Sequence, residues 1–146
     1  RNSIQEILGK RNKEYMKKSK IKAETIITCH VNADFDALAA MVAASKLYPE
    51  AVLIFPGSQE KNIKNFFIQS ATYLYNFKST KDIDYTQVKK LVLVDTRQRS
   101  RISHVKSILD NPELEIHIYD HHPDSDEDVH GKVEIVNPWG AATADR

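Results

Sequence analysis

The stretch TCHVNADFDALAAM, residues 28–41, joins a short apolar run to an alanine-rich segment. Two isoleucines precede it, as in a buried strand, and the alanines that follow favour a helix. His30, Asp34 and Asp36 lie within seven positions at this junction. Imidazoles and carboxylates bind metal ions and transfer protons. The stretch therefore predicts a functional site where a strand meets a helix.

The composition is that of an ordinary single domain. The chain has 146 residues, of which 28% are charged and 41% hydrophobic, with a net charge of +1. This length supports one hydrophobic core, and the small charge gives no field that would favour nucleic acid or a membrane. The single cysteine, Cys29, excludes an internal disulfide and is typical of a reducing compartment, so we expect a cytoplasmic protein. No apolar run is long enough to span a membrane.

Apolar runs alternate with amphipathic segments after residue 24. The predicted strands are 25–29, 51–55, 91–95, 115–120 and 132–137, and the predicted helices are 36–48, 59–74 and 102–110. This alternation predicts an α/β fold, a doubly wound and mainly parallel sheet of about five strands with helices on both faces.

Residues 1–24 form a separate basic segment with apolar residues at helical spacing. A solvated helix is the common explanation for such a segment, and contact with nucleic acid or with a neighbouring domain is the alternative. We divide the chain into a basic N-terminal helix or arm, residues 1–24, and one domain, residues 25–146.

Histidine or aspartate lies at or directly after the end of three predicted strands. The residues are His30 after the first strand, Asp95 at the end of the third, and Asp120 at the end of the fourth with His121 and His122 after it. In an open parallel sheet, functional groups gather beyond the carboxyl ends of the strands. Each residue has an ordinary explanation alone, as Asp34 does as a helix N-cap. Their common position at one rim favours a shared site.

Carboxylates together with neutral imidazoles suit divalent ions, above all Mn²⁺, with Mg²⁺, Co²⁺ and Fe²⁺ as alternatives. Two ions about 3.5–4 Å apart can activate a water molecule for phosphoryl displacement. No Cys-x-x-Cys pair, phosphate-binding P-loop or Gly-x-Ser-x-Gly turn is present. The residues therefore favour metal-dependent phosphoester chemistry.

Four motifs, CHVNADFDALAA, LVLVDT, YDHH and WGAAT, resemble in that order the motifs of the DHH phosphoesterase superfamily. This superfamily includes manganese-dependent pyrophosphatases, exopolyphosphatases, RecJ-type exonucleases, oligoribonuclease-like enzymes and cyclic dinucleotide phosphodiesterases. The first motif is most similar to DHH modules of longer bacterial chains that also carry CBS domains and a tRNA nucleotidyltransferase-like region. The resemblance implies a hydrolase with two Mn²⁺ ions, or Mg²⁺ or Co²⁺ in their place.

The resemblance also implies the metal ligands. His30 and Asp34 would hold one ion, and Asp36 and His121 would hold the second. Asp95 would bridge both ions and thereby take part in catalysis.

Two further roles follow from the resemblance. Asp120 would be a catalytic carboxylate that orients the neighbouring imidazole. His122 would bind substrate phosphate or protonate the leaving oxygen.

Three arginines, Arg97, Arg99 and Arg101, follow the third strand. An arginine fork suits phosphate oxygens, and Arg97, nearest the strand end, is the predicted phosphate contact, with a solvated helix start as the alternative. His104 and His117 fall inside a predicted helix and strand and are expected to be structural.

The chain begins with Arg1 and ends at Arg146, soon after WGAAT. The superfamily has a last aspartate ligand and a substrate-gripping domain further along the chain. We therefore expect the domain to be C-terminally incomplete, to have further C-terminal domains of the same chain as partners, and to be weak or inactive alone.

The leading functional prediction is hydrolysis of a phosphodiester or phosphoanhydride in a phosphate-containing small molecule or short nucleic acid. The candidates are an oligonucleotide, a cyclic dinucleotide, pyrophosphate and polyphosphate. The alternative is a non-catalytic metal- or nucleotide-binding module that regulates a larger tRNA nucleotidyltransferase-like protein of the poly(A) polymerase and CCA-adding type. RNA binding by the basic arm is a third hypothesis.

Overall fold

A computed structural model describes residues 20–57, Ile63 and residues 77–136. Within this part of the chain, the central sheet has six strands, and every strand pair is parallel. The strands are β1 (Thr25–Thr28), β2 (Val52–Phe55), β3 (Phe77–Ser79), β4 (Lys90–Val94), β5 (Glu115–Asp120) and β6 (Val133–Val136). Their order across the sheet is β3-β2-β1-β4-β5-β6. The sheet is thus doubly wound, and the predicted fold class is confirmed.

Helical segments cover both faces of this sheet. On one face, Ile27 and Val92 pack against the helix α1 (Phe35–Leu47) through residues such as Met41. On the other face, alternate strand residues pack against a second helical segment that includes the single turn α2 (Lys106–Leu109). Because successive strand residues point to opposite faces, β1 and β4 are buried on both sides. This explains their almost continuous apolar sequences.

Several elements differ from the sequence-based prediction. The segment 102–110, which was predicted as one helix, is a 3₁₀ turn, Ser103–Val105, followed by α2. The helix α2 ends at Leu109, two residues before Asn111. A proline follows Asn111, and the residue before a proline is disfavoured in a helix. β3 was not predicted, because three residues at a sheet edge carry too short an alternation to recognise.

The region before β1 also contains a short strand. Ile21–Lys22 pairs in parallel with Ile83–Asp84 as a separate two-stranded sheet. This strand lies inside the segment predicted as a basic arm. The predicted helix 59–74 lies outside the described residues except for Ile63, which is helical and buried. Residues 1–19 and the WGAAT motif also lie outside them.

Gly131 lies where the chain enters β6 along the edge of β5. A Cβ atom there would overlap the carbonyl oxygen of Ile116 and lie 2.8 Å from its carbonyl carbon. The neighbouring Lys132 N–H donates to that same oxygen at 2.9 Å, so the two segments cannot separate without losing this hydrogen bond.

We expect Gly131→Ala to lower the free energy of unfolding by about 1–3 kcal/mol, the usual cost of overpacking. Urea denaturation measures this difference. Ser107→Ala, on the exposed side of α2, is the control and should leave stability unchanged. Equal stability of the two variants would show that the close approach at Gly131 is not needed.

Candidate metal centre

The predicted ligand residues lie at the point where the two halves of the sheet diverge. His30 comes two residues after β1, Asp95 directly follows β4, and Asp120 ends β5. These three strands are neighbours in the sheet, so their carboxyl ends form one continuous rim. This is the position at which doubly wound sheets bind their ligands.

Asp95 lies at the centre of this rim and is 3% exposed. Its φ of 60° is in the left-handed region, which aspartate tolerates better than most residues. One carboxylate oxygen, Oδ1, is 2.6 Å from His121 Nε2, and the other, Oδ2, is 3.5 Å from His30 Nε2. Burial acts to raise the pKa of Asp95, but its hydrogen bonds with the two histidines outweigh burial and lower the pKa.

The tautomer of His30 follows from its backbone contact. His30 Nδ1 lies 2.8 Å from the carbonyl oxygen of Val31, which can only accept, so Nδ1 carries the proton. In the neutral ring, Nε2 then presents a lone pair to Asp95, which is also an acceptor. Two acceptors facing each other in a buried site require a cation between them, either a proton or a metal ion. The residues therefore fit a divalent metal.

The ligand-type side chains form two groups that share Asp95. The first group is His30, Asp34 and Asp95, and the second is Asp95, Asp120, His121 and His122. Within each group, one ligand atom from each residue lies within 4.8 Å of the others. A carboxylate common to two groups is the arrangement that bridges a pair of ions.

Asp34 is held at the rim by a second function. It is the N-cap of α1, and its Oδ1 accepts a hydrogen bond of 2.8 Å from the backbone N–H of Ala37. Asp36 is exposed in the first turn of α1 and belongs to neither ligand group. Its role as a ligand stays a prediction.

Asp120 organises the two histidines that follow it. Its Oδ1 accepts hydrogen bonds from the backbone N–H groups of His121, at 2.8 Å, and His122, at 3.3 Å. The same oxygen is 2.6 Å from His122 Nδ1. Both imidazoles are half-buried at the open side of the rim. Asp120 thus fixes the ring of His122, and Nε2 is the nitrogen left for other partners.

Arg97 holds Asp120 in place from the other side. Its three guanidinium nitrogens donate to Asp120 Oδ2 at 3.0 Å, Asp124 Oδ1 at 2.7 Å and Asp128 Oδ2 at 3.0 Å. The side chains of Arg97, Asp120 and Asp128 are all at least 95% buried, whereas Asp124 is exposed. Carboxylates thus engage each of the three guanidinium nitrogens. The contact between Arg97 and a substrate phosphate stays a prediction.

Two histidines expected to be structural make contacts of that kind. His104 Nε2 lies 2.8 Å from the Thr28 hydroxyl, and burial and the charge of His30 lower the pKa of His104 to about 4. His117 Nδ1 lies 2.6 Å from the hydroxyl of Tyr48.

The role of Arg101 could not be predicted from the sequence. The carbonyl oxygen of Arg101 accepts a hydrogen bond from the Val31 N–H at 2.8 Å, which places it beside His30. The two segments are distant in the sequence, so no local pattern could have revealed this contact.

The fold and the shared ligand groups define an α/β domain with a candidate divalent-metal centre at the switch point of a doubly wound sheet. The chain belongs to the DHH family, since the model of the DHH family N-terminal domain matches residues 24–144. The resemblance seen in the four sequence motifs is thereby confirmed.

Known proteins similar to this chain include a nucleotidyltransferase and an exopolyphosphatase-related protein. An A-adding tRNA nucleotidyltransferase from Geobacter sulfurreducens is 45% identical over 118 residues, which cover 81% of this chain and 13% of that protein. The crystal structure of an exopolyphosphatase-related protein from Bacteroides fragilis superposes with a TM-score of 0.53 at 17% identity, over 93% of this chain and 40% of that one. The second similarity concerns the fold alone. In the described part of the chain, no helix has the length and apolarity needed to cross a membrane.

Proposed function

We propose that this domain is a divalent-metal-dependent phosphoesterase that hydrolyses a phosphodiester or phosphoanhydride. The observation that carries the proposal is Asp95, whose two carboxylate oxygens face two histidines at the junction of two ligand groups. Two bound ions would supply an activated water and neutralise charge on the phosphate. Mn²⁺ suits this mixture of imidazole and carboxylate, with Mg²⁺ or Co²⁺ as alternatives.

Each side chain has a defined task in this proposal. His30 and Asp34 would hold one ion, His121 would hold the second, and Asp95 would contribute to both. Asp36 is the further ligand proposed for the second ion.

His122 acts on the substrate itself. Because Asp120 engages Nδ1 of His122, Nε2 is the atom that binds a substrate phosphate or passes a proton to the leaving oxygen. Asp120 keeps the ring in this orientation and thereby takes part in catalysis.

We further propose that the domain works in the cytoplasm as part of a longer chain. The buried and unpaired Cys29 supports a reducing compartment. The small share of the nucleotidyltransferase relative that this chain covers supports additional domains as its partners. The proposed substrate is an oligonucleotide, a cyclic dinucleotide, pyrophosphate or polyphosphate.

A second candidate function is supported by the same relative. The domain would bind metal or nucleotide and regulate a fused tRNA nucleotidyltransferase-like region without turnover of its own. The two candidates differ in whether the bound metal supports hydrolysis.

The test is hydrolysis of a generic aryl phosphodiester by the full-length protein, with Mn²⁺ and with EDTA. We expect activity that requires Mn²⁺, and we expect His122→Asn to lower kcat by about 10²- to 10⁴-fold, the usual contribution of proton transfer. His130→Asn is the matched control, since His130 is exposed and lies outside both ligand groups. Mn²⁺ binding without hydrolysis of this ester, pyrophosphate, polyphosphate, a cyclic dinucleotide or short RNA would instead favour the regulatory candidate.

A further inference from the structure

The three arginines that follow β4 lie in different environments. Arg97 is buried, and all its nitrogens donate to carboxylates. Arg99 is exposed and lies 3.6 Å from the carboxylate of Asp110, which is also exposed. Arg101 is half-buried, and its guanidinium forms no ion pair with any residue in the described ranges. Arg101 is therefore the member of this series whose charge is left without a carboxylate there.

The backbone places Arg101 beside the metal centre. Its carbonyl oxygen accepts the Val31 N–H at 2.8 Å, one residue from His30. It ends a 3₁₀ turn, Arg99–Arg101, and the next residue, Ile102, is fully buried in the core. The hydrogen bond with Val31 and the buried Ile102 together fix the backbone of Arg101. Its side chain therefore starts at the β1 side of the rim.

The charge of Arg101 reaches this rim. Its guanidinium is close enough to act electrostatically on both the Cys29 thiol and the His30 ring.

A guanidinium in this place does not help to hold a metal ion. Like charges repel, and the repulsion grows where the surroundings exclude water. A half-buried cation beside a divalent-metal centre becomes favourable when an anion lies between the two. In the proposed phosphoester chemistry, the anion at the rim is a phosphate group of the substrate. A guanidinium can hold two phosphate oxygens at once.

We propose that Arg101 is a substrate-binding residue that holds a phosphate group of the substrate beside the His30 side of the metal centre. This inference rests on the proposed function, because it assumes that the substrate carries a phosphate group. Arg101, unlike Arg97, has no carboxylate partner in the described part of the chain, so it can supply a phosphate contact in addition to the one predicted for Arg97.

The test compares Arg101→Gln, Arg101→Lys and Arg99→Gln in the full-length protein. Inorganic phosphate is titrated calorimetrically into each protein in the presence of Mg²⁺. Arg101→Gln should weaken phosphate binding by about 10- to 100-fold, the effect of losing a hydrogen bond to a charged group. Arg101→Lys keeps the charge but loses the fork and should lie between Arg101→Gln and wild type. Arg99→Gln, from the same turn, should bind as wild type does.

A second measurement separates binding from a merely structural role. Mn²⁺ affinity, followed by electron paramagnetic resonance, should be equal or higher in Arg101→Gln, since a repelling charge has been removed. Weaker Mn²⁺ binding would show that Arg101 supports the fold of the rim, and would overturn the inference. Equal phosphate affinity in wild type, Arg101→Gln and Arg99→Gln, including no binding by any of them, would overturn it as well.

The outcome for Arg101 is distinguishable from that of the proposed function. If phosphate binding depends on Arg101 but no ester is hydrolysed, the inference stands and the proposed hydrolase fails. If the ester is hydrolysed with the same KM in Arg101→Gln and Arg99→Gln, the hydrolase stands and the inference fails.

Discussion

Asp95→Asn should remove most of the affinity of the domain for divalent metal and, with it, hydrolysis. Asp95 belongs to both ligand groups, so neutralising it weakens both proposed ions at once. Residues that only support metal ligands cost about 10- to 100-fold in affinity when replaced, so a direct bridging ligand should cost more than about 100-fold. Calorimetric titration with Mn²⁺ measures the loss.

Asparagine is the appropriate replacement because of the backbone at this position. Asp95 has a positive φ, which asparagine adopts readily and alanine does not. The variant should therefore retain its fold, as judged by circular dichroism. Asp84→Asn is the matched control, since Asp84 caps a 3₁₀ turn that precedes β4 and belongs to neither ligand group. Mn²⁺ affinity that is the same in the two variants would contradict the bridging role.

Arg97→Met should lower the free energy of unfolding by about 3–5 kcal/mol, which is the cost of removing one partner from a buried ion pair. The substitution leaves the carboxylates of Asp120 and Asp128 buried without their cation. The contact with the exposed Asp124 adds little to this effect, because water screens it. Chemical denaturation measures the change.

The control for this prediction is Arg99→Met. Its carboxylate partner is exposed, so the loss should be below about 1 kcal/mol. A second readout is metal affinity, because Arg97 positions Asp120 and should affect the second group by about 10- to 100-fold. If Arg97→Met were as stable as Arg99→Met, the buried network would not be needed for the fold.

The central sheet was predictable because its strands are buried on both faces. β1 and β4 therefore appear in the sequence as apolar runs that need no alternation. The rule that ligands gather at the carboxyl ends of parallel strands then brought His30, Asp95 and His121 to one rim. β3 escaped prediction because it is a short edge strand that contains a lysine.

The details of the rim depended on contacts that the sequence does not carry. Asp36 lies only two residues from Asp34, yet it lies on the exposed side of α1, because the helix starts between them and sets the direction of each side chain. The arginines after β4 look equivalent in the sequence. Only the position of three carboxylates, at the end of β5 and in the loop after it, separates Arg97 from Arg101.

The parallel pairing of β1, β4 and β5 also determines when the centre can come into existence. The ligands at its rim meet only after β1 has paired with β4 and β4 with β5. Pairings between such remote segments form slowly, because the intervening chain must first be ordered. During synthesis, His30 and Asp34 emerge well before Asp120 and His121, so a nascent chain offers an ion only a fraction of its ligands. Metal uptake should therefore follow folding, and bound metal would mark a chain whose sheet is fully assembled.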